Sequence, residues 1–584
     1  MSLRVSFSVL TFSLLVGCGS SSNSTSSTTA PVPVTPSQPS TIPQESVHIN
    51  QIGYLRVGEK VAIIPSTSAS RFELINSQSN EVSYQGELTA ASPWQPAGNI
   101  QVQKADFSNI ETPGDYLLRI DGVEDKAITI LASGYHELHD AALKYYYLNR
   151  SSAEISQAFG QQWARALGHP DTQVTVHDSA ASQARPAGYT FASTKGWYDA
   201  GDFGKYVVNS GIATYTLLAA YEHYPSFYQG RQHNIPESNN EVPDILDEIK
   251  WNLDWLETMQ DDDGSVYHKL TTLDWPGKEM PVEDTRPRYV IGKSTAAALD
   301  FAATLAVASR VYQPFSAQFP GLSERWLSAA KRAYQWALSN PNLAYIQPED
   351  VSSGEYGDST FEDEFAWAAA ELYITTQEVS YLETFQQQSL SPTVPEWPDV
   401  SSLGYISLLR AGQPYLSEQG YQDIVVKLTT LADELLLNYQ QSAYAVAMTS
   451  EDFVWGSNSA ALNRAVILLQ AYEMTQESQY KDAAKGTISY LLGRNPTGFS
   501  FVTGFGTKTP MDPHHRASYS DGVPEPLPGM VVGGPQNGQQ DQCEYPSNTP
   551  AMSYIDDWCS YSTNEVAINW NAPLVYVLAA LMSE

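Results

Sequence analysis

The sequence predicts a multidomain protein in which a small all-β sandwich precedes a much larger all-α domain. Short segments that alternate apolar and polar residues fill the range 47–132, separated by clusters of turn-forming residues. After Gly134, apolar residues instead recur at spacings of three and four, the period of an amphipathic helix. The change of period divides the chain into a β-rich domain at 47–132 and a helical domain at 133–584.

Six segments of the first domain are predicted to form strands. They are VHINQIGYL, KVAIIP, RFELIN, IQVQKADF, GDYLLRI and KAITIL. Turn formers such as those at 112–115 separate them, and about six short strands in ~85 residues are typical of a small β-sandwich.

About a dozen helices are predicted for the second domain. Long polar or proline-rich loops, and not strands, are expected between them. The absence of a short exact repeat in the sequence argues against a regular solenoid. Helical periodicity suits a barrel of paired helices, whose loops at one end can build a long cleft, but it suits a large bundle equally well.

The charge balance excludes some partners. The 584 residues include 32 basic and 65 acidic side chains, a formal net charge of −33. Nucleic acid and anionic lipid would repel such a chain, so we expect no nucleic-acid partner and a neutral or cationic ligand. The 13 Trp and 35 Tyr residues suffice for a large core and for aromatic residues in a site. The oligomeric state stays open.

The N-terminus carries an export signal. Residues 1–18 combine Arg4 with an apolar run and end in Leu15-Val16-Gly17-Cys18, which resembles a bacterial lipobox. We expect Cys18 to be acylated, and the protein to be exported and anchored at the bacterial outer membrane, on its periplasmic or its cell-surface face. An ordinary cleaved signal peptide is the alternative. Residues 19–46, rich in Ser, Thr and Pro, are expected to form a flexible linker.

No later segment has the ~20 consecutive apolar residues of a transmembrane helix, so we expect membrane contact through the lipid alone.

Cys543 and Cys559 are expected to form a disulfide in an exported protein, with two free thiols as the alternative. No Cys/His cluster has zinc-site spacing, and no zinc is predicted.

Three segments interrupt the helical pattern with polar, aromatic and glycine residues. In the first, at 196–206, Asp199 and Asp202 are spaced so that both can hold one water molecule. Repulsion between two such carboxylates is expected to raise at least one pKa. A simple turn that starts a helix is the structural alternative.

The second segment, 500–516, contains His514 and Arg516, which could hydrogen-bond sugar hydroxyls or be ordinary surface residues. In the third, 554–565, Glu565 begins an otherwise apolar helix. Its carboxylate could complement the helix dipole. Alternatively, apolar surroundings could keep it protonated near neutral pH, as a general acid requires.

Together these segments resemble glycoside hydrolase family 9, the cellulase family of inverting endoglucanases and cellodextrinases. GWYDAGDFGKYV resembles its catalytic-base motif, and the second and third segments resemble its two long signatures. The β-rich segment resembles the immunoglobulin-like module that precedes the catalytic domain in one branch of the family. The resemblance covers residues 47–584 and implies an immunoglobulin-like sandwich followed by an (α/α)6 barrel.

The resemblance assigns three catalytic roles. It implies that Asp202 is the general base that deprotonates the attacking water, and that Asp199 holds this water. Glu565 is implied to be the general acid that protonates the leaving oxygen.

Five further residues are expected to contact or support the substrate. The resemblance implies that His514 and Arg516 hold the sugar beside the scissile bond. Asp556 and Tyr561 belong to the same signature as Glu565, and Asp556 is expected near the cleft in a supporting role. His268 is a weaker candidate for substrate contact.

The expected activity is inverting hydrolysis of β-1,4-glucosidic bonds in cellulose-type glucans or cello-oligosaccharides, with endo-action favoured. Exo-action on cello- or chitosan-oligosaccharides is the alternative, and an inactive glycan-binding lipoprotein is a further one. No metal or cofactor is predicted. Calcium, which the resemblance makes conceivable, is left open, because Asp261-Asp-Asp-Gly264 offers carboxylates without a full EF-hand loop.

Overall fold

The computed structural model describes residues 46–583. The expected signal peptide, Cys18 and all but the last residue of the expected linker lie outside the described residues. The described chain begins with a β-rich domain and continues into a helical one.

The β-rich domain is a sandwich of two antiparallel sheets. Its described strands are β1 (Val61–Pro65), β2 (Arg71–Asn76), β3 (Val82–Glu87), β4 (Ser92–Trp94), β5 (Ile100–Asp106), β6 (Gly114–Arg119) and β7 (Lys126–Ile130). One sheet has the order β1-β5-β4 and the other β3-β2-β6-β7. Alternate residues such as Ile64, Phe72 and Leu118 point into one shared apolar core. The predicted sandwich is confirmed.

The first predicted strand is wrong in detail. VHINQIGYL forms isolated bridges, His48 to Ile63 and Tyr54 to Ile130, in place of a regular strand. The chain turns at Gly53, whose φ of 113° is a conformation that glycine adopts without steric cost. Conversely, β3 is a strand that the sequence did not predict, because most of its side chains are exposed.

The helical domain has these α-helices among the described residues: α1 (His136–Leu148), α2 (Gln157–Gly160), α3 (Val207–His223), α4 (Pro225–Tyr228), α5 (Asp244–Thr258), α6 (Thr295–Tyr312), α7 (Leu322–Ser339), α8 (Glu362–Thr376), α9 (Val379–Gln388), α10 (Ser401–Arg410), α11 (Glu418–Gln441), α12 (Ser457–Thr475), α13 (Ser478–Leu491), α14 (Arg516–Ser520) and α15 (Ile568–Met582).

Six of these helices are buried on nearly all sides: α3, α6, α8, α10, α12 and α15. They alternate along the chain with other helices, of which α7 and α11 are only partly buried. Among the buried helices, α15 packs on α3, α3 on α6, α6 on α8, α8 on α10, and α12 on α15. Helices that are apolar all round belong in the centre of a large domain. This helical arrangement fits the expected (α/α)6 barrel.

The helical domain also contains short strands, so the expectation that only loops separate its helices is wrong. These are β8 (Val174–Val176), β9 (Thr190–Phe191), β10 (Lys205–Tyr206), β11 (Tyr267–Thr271) and β12 (Tyr289–Lys293), in the order β10-β11-β12-β8-β9. Strands of two to five residues are too short to show a clear period in the sequence.

The sandwich is tied to the helical domain by buried polar contacts. Glu59 forms an ion pair with Arg494, which also donates to the main chain of Ala445 at 2.8 Å. The Gln51 side chain donates to the Gly498 carbonyl at 2.8 Å. These contacts join the first domain to the loop that follows α13.

Candidate active site

Asp199 lies in a tight turn just before β10 and α3. The turn is closed by the Asp199 amide, which donates to the Gly204 carbonyl at 3.0 Å. The carboxylate is buried and accepts two hydrogen bonds, from Asn209 Nδ2 at 2.7 Å and from the Tyr356 hydroxyl at 2.6 Å. Both oxygens of Asp199 are therefore fixed in orientation.

Asp202 is held in the same turn. Its Oδ2 accepts from the Tyr206 hydroxyl at 2.9 Å and from the Gly204 amide at 3.1 Å. Only 4% of the residue is exposed, so its orientation depends on these two donors.

The two carboxyls affect each other. Burial, and after it the charge of Asp202, raises the pKa of Asp199 to about 8, although the bonds from Tyr356 and Asn209 act in the opposite direction. At neutral pH Asp199 is therefore mainly protonated. It can donate to a water molecule while Asp202 accepts a proton from the same water.

Glu565 faces this turn from the loop that leads into α15. The Gly201 amide donates to Glu565 Oε1 at 3.3 Å, and the Ile568 amide donates to the Asp199 carbonyl at 2.9 Å. Burial, and after it Asp202, raises the pKa of Glu565 to about 8, while Arg516 lowers it. Glu565 thus keeps its proton near neutral pH, as a general acid must.

His514 lies beside Glu565, and their main chains form a parallel bridge. Its ring stacks on Trp558 with centroids 4.4 Å apart, and Nδ1 lies 2.7 Å from the Trp558 carbonyl. Burial lowers the pKa of His514 to about 4, so the ring is neutral. Because a carbonyl only accepts, Nδ1 carries the proton and Nε2 is left as an acceptor for a hydroxyl.

Arg516 bonds the main chain of two segments. Its Nη1 donates to the Gly201 carbonyl at 2.8 Å and its Nε to the Pro276 carbonyl at 3.0 Å. The guanidinium thus links the turn of Asp199 and Asp202 to the segment that carries Trp275. In this structure Arg516 positions the site, and its sugar contact stays an expectation.

Asp556 supports the histidine segment from behind. Its carboxylate accepts from the main-chain amides of Met511 and Asp512 at 2.8 and 3.0 Å, and from Asn564 Nδ2 at 3.0 Å. These bonds hold the segment before His514 against the segment before Glu565.

Tyr561 and His268 differ in their access to solvent. The Tyr561 ring lies 5.6 Å from that of Trp455, at the rim of the cleft. His268 is fully buried, with Nδ1 2.9 Å from Ser294 Oγ and Nε2 2.7 Å from the Glu355 carbonyl. The structure therefore places His268 behind the cleft wall, where it supports the loop of Glu355 and does not face a substrate.

The carboxyls open into a cleft of about 550 Å³. Its aromatic and acidic lining includes residues that sequence reasoning missed: Tyr206, Trp275, Glu355, Tyr356, Glu396, Trp397 and Trp570. Among the tryptophans, Trp455 lines the cleft and Trp558 stacks on His514, whereas Trp197 and Trp367 are buried in the core.

Two further features predicted from the sequence are the disulfide, close to Glu565, and the acidic turn at Asp261, away from the cleft. Cys543 and Cys559 are joined by a disulfide with Cα atoms 6.1 Å apart, in the segment that leads to Glu565. Asp261 is paired with Lys293 at 2.7 Å and with Arg185 at 3.4 Å. Its carboxylate is therefore already neutralised, and the turn that begins at Asp261 does not fit a calcium ion.

The family follows from comparison with known proteins. Residues 135–578 match glycosyl hydrolase family 9, and residues 43–125 match the cellulase N-terminal ig-like domain. The chain therefore belongs to glycosyl hydrolase family 9, and it is a β-1,4-glucan hydrolase.

Relatives and solved structures agree along almost the whole chain. The xyloglucan-specific endo-beta-1,4-glucanase BoGH9A of Bacteroides ovatus is 41% identical over 568 residues, 94% of this chain and 96% of that protein. Endoglucanase D of Acetivibrio thermocellus is 32% identical, covering 92% and 83%. A solved structure of a Bacteroides ovatus GH9 protein superposes with a TM-score of 0.87 at 39% identity, covering 92% of this chain and 99% of that one.

Proposed function

We propose that the protein is an endo-acting, inverting β-1,4-glucanase whose substrates include xyloglucan. The observation that carries this proposal is one open cleft that contains Asp199, Asp202 and Glu565 together with aromatic side chains from several loops. A protonated carboxyl and a water-holding pair of carboxyls are the groups that inverting hydrolysis of an acetal requires.

The proposed reaction is a single displacement. Asp199 and Asp202 hold a water molecule, and Asp202 takes its proton as the oxygen attacks the anomeric carbon. Glu565 gives its proton to the departing glycosidic oxygen, so the C–O bond breaks as the new one forms. His514 orients a hydroxyl of the adjacent sugar through Nε2.

Endo-action is supported by aromatic residues that are exposed in the cleft. Trp275 is 45% exposed and Trp455 is 42% exposed, and they come from segments far apart in the chain. Such rings can stack on pyranose faces of a glucan that continues past the scissile bond. A chain bound in this way is cut internally.

Acceptance of xyloglucan is supported by the open space beside two cleft rings and by the similarity to a xyloglucan-specific relative. Xyloglucan is a β-1,4-glucan that carries xylosyl branches, which need space beside the backbone. Trp275 and Trp455 are exposed in the cleft, so solvent-accessible space lies beside the rings that would stack on that backbone.

Product analysis tests this function. Xyloglucan, carboxymethylcellulose and cellohexaose are digested separately, with Asp202→Asn as the blank, and early products are read by mass spectrometry. We expect several branched oligosaccharides from xyloglucan, mixed products from cellohexaose, and α-anomers first by NMR. A single small product from the first minutes would establish exo-action, with glucosamine oligomers as the next substrate. Xyloglucan left intact while carboxymethylcellulose is cut would overturn the branched-substrate proposal.

We further propose that the protein is exported and lipid-anchored through Cys18. The lipobox-like sequence and the disulfide support this, because disulfides persist in oxidising compartments. Among residues 46–583, no helix is long and apolar enough to cross a membrane. Mass spectrometry of the mature N-terminus, with Cys18→Ser as control, tests the anchor.

We also propose that calcium stabilises the helical domain near Glu364. Asp300 on α6 and Glu364 on α8 are almost fully buried, and Asp300 Oδ1 and Glu364 Oε2 have no hydrogen-bond partner. Burial, and after it nearby carboxylates, raises the pKa of both groups. A hard cation beside these oxygens would replace the repulsion between the carboxylates with attraction and fix the start of α8. Calcium should raise the Tm, and Asp300→Asn should abolish the effect.

The ring of buried helices is proposed to close between α10 and α12 into an (α/α)6 barrel. The five packed pairs already described support this closure. A crystal structure tests it directly.

A further inference from the structure

A second cluster of functional side chains lies at the end of the helical domain opposite to the cleft. Glu565 stands just before the start of α15, whereas Met582 at the end of that helix contacts Tyr135, just before α1. His139 and Asp140 are in the first turn and a half of α1, and His233 comes from the loop between α4 and α5. The cluster is therefore remote from the catalytic carboxyls.

Three potential ligand atoms converge in this cluster. His139 Nδ1 lies 3.1 Å from Asp140 Oδ1, and His233 Nε2 lies 3.4 Å from the same oxygen. Within residues 46–583, this is the one group of three His, Cys, Asp or Glu residues whose ligand atoms all lie within 4.8 Å of one another. Ligands bound tetrahedrally at 2.0–2.1 Å stand about 3.3 Å apart, so these distances are those of a zinc coordination shell.

His233 gives an independent indication of a missing ligand. Its side chain is 2% exposed. Among the buried histidines that the structure describes, it is the one with neither ring nitrogen in a hydrogen bond. Its ring nitrogens have only long contacts, Nε2 to Asp140 at 3.4 Å and Nδ1 to Asp244 at 4.0 Å, and a metal ion would satisfy the imidazole better.

We propose that His139, Asp140 and His233 form a structural zinc site that ties α1 to the loop between α4 and α5. Two imidazoles and one carboxylate are ligands that zinc favours, and a water molecule can complete the tetrahedron. Asp140, 38% exposed, opens the site to solvent.

In the zinc-free protein, Arg231 is the counter-ion of Asp140. Its Nη1 donates to Asp140 Oδ1 at 2.8 Å, and its Nη2 lies 2.9 Å from His136 Nδ1. Zinc binding replaces the guanidinium contact at this oxygen. The sequence did not predict the site, because His233 follows His139 by more than 90 residues and no cysteine is involved.

Zinc binding by the tag-free full chain tests the proposal. The protein is stripped with EDTA, dialysed into metal-free buffer and titrated with zinc chloride by calorimetry, and the bound metal is counted by mass spectrometry. We expect one zinc per chain at saturation and a Tm that rises with zinc concentration. His233→Gln and Asp140→Asn should each lose the saturable binding and the Tm rise.

His177→Gln is the matched control, since His177 also pairs with an aspartate, Asp350, at 3.2 Å, but on the exposed surface. It should bind zinc like the wild type. Circular dichroism verifies that each variant is folded. Absence of saturable binding by the wild type, or equal binding by His233→Gln and His177→Gln, would overturn the proposal. Glucanase activity enters none of these measurements, so the result is independent of the proposed function.

Discussion

At the scale of single residues, the proposed chemistry depends on carboxyls that are poorly solvated. Glu565 and Asp199 both have a pKa raised to about 8, first by burial and then by Asp202. An ordinary surface glutamate would be ionised at neutral pH and could not act as a general acid. The fold therefore provides the acid by excluding water from it.

The pH dependence of activity follows from Glu565. Because the general acid must be protonated, kcat should fall as the pH rises through about 8. A pH–rate profile on a soluble glucan measures this alkaline limb. A constant kcat up to pH 10 would contradict the assignment of Glu565.

Glu565→Gln should abolish activity and raise stability. Folding raises the pKa of this carboxyl. As the pH rises from about 4 to about 8, the unfolded chain loses the proton before the folded chain does, and the free energy of unfolding therefore falls. Glutamine removes this cost, so the variant should gain about 3 kcal/mol at pH 7 and nothing at pH 4. Thermal unfolding at both pH values measures the difference.

Glu355→Gln is the control for that experiment, because Glu355 is an exposed carboxyl of the same cleft. Its unfolding should match that of the wild type at both pH values. A Glu565→Gln variant that is destabilised at pH 7 would show that the carboxyl is ionised in the folded protein.

Tyr356 is expected to be a positioning residue for Asp199. Removal of its hydroxyl in Tyr356→Phe leaves a carboxyl oxygen without its donor and raises the pKa of Asp199 further. We expect kcat to fall about tenfold to a hundredfold with a nearly unchanged KM, because leaving a buried acceptor without its donor costs about 1–3 kcal/mol. Tyr519→Phe, on an exposed ring outside the cleft lining, should leave kcat unchanged.

At the scale of elements, Gly201 shows why the turn before β10 needs a residue without a side chain. A Cβ atom there would overlap the His514 main-chain oxygen and stand 3.0 Å from Glu565 Oε1. Gly201→Ala should therefore push apart the segments of Asp202 and Glu565 and reduce kcat at least a hundredfold, with a loss of stability of about 1–3 kcal/mol. Gly420→Ala is the control, because Gly420 lies at the start of α11, outside the cleft lining, and a Cβ atom there would meet only the Ser417 side chain. An active Gly201→Ala enzyme would mean that the two segments need not meet.

The sequence could predict elements whose residues are adjacent in the chain. Asp199 and Asp202 share one turn, and Glu565 lies in the loop just before α15, so local patterns made all three candidates and the family resemblance supplied their roles. Tyr356 lies 157 residues from Asp199 in a loop without a motif, and only tertiary packing brings it to the turn. His268, from the sequence a weaker candidate for substrate contact, is fully buried on β11.

At the scale of the whole molecule, the sandwich reaches the segment that carries His514. Gln51 Oε1 accepts from the amides of Thr507 and Lys508 at 2.8 and 3.0 Å, and its Nε2 donates to the Gly498 carbonyl. A Cβ atom on Gly506 would stand 2.8 Å from the same oxygen, so the two segments pack too closely here for a larger residue. The first domain therefore fixes a loop of the catalytic domain and is more than a spacer.

Gln51→Ala tests this coupling between the domains. Loss of four hydrogen bonds, each worth about 1 kcal/mol, frees the loop of residues 498–508 and with it the approach to His514. We expect kcat to fall about tenfold and the Tm to fall by a few degrees. Gln103→Ala is the matched control, because Gln103 bonds only Thr67 and Thr89 inside the sandwich. It should reduce stability without reducing kcat. If both variants lost activity in proportion to their loss of stability, the sandwich would support the catalytic domain only by adding to its overall stability.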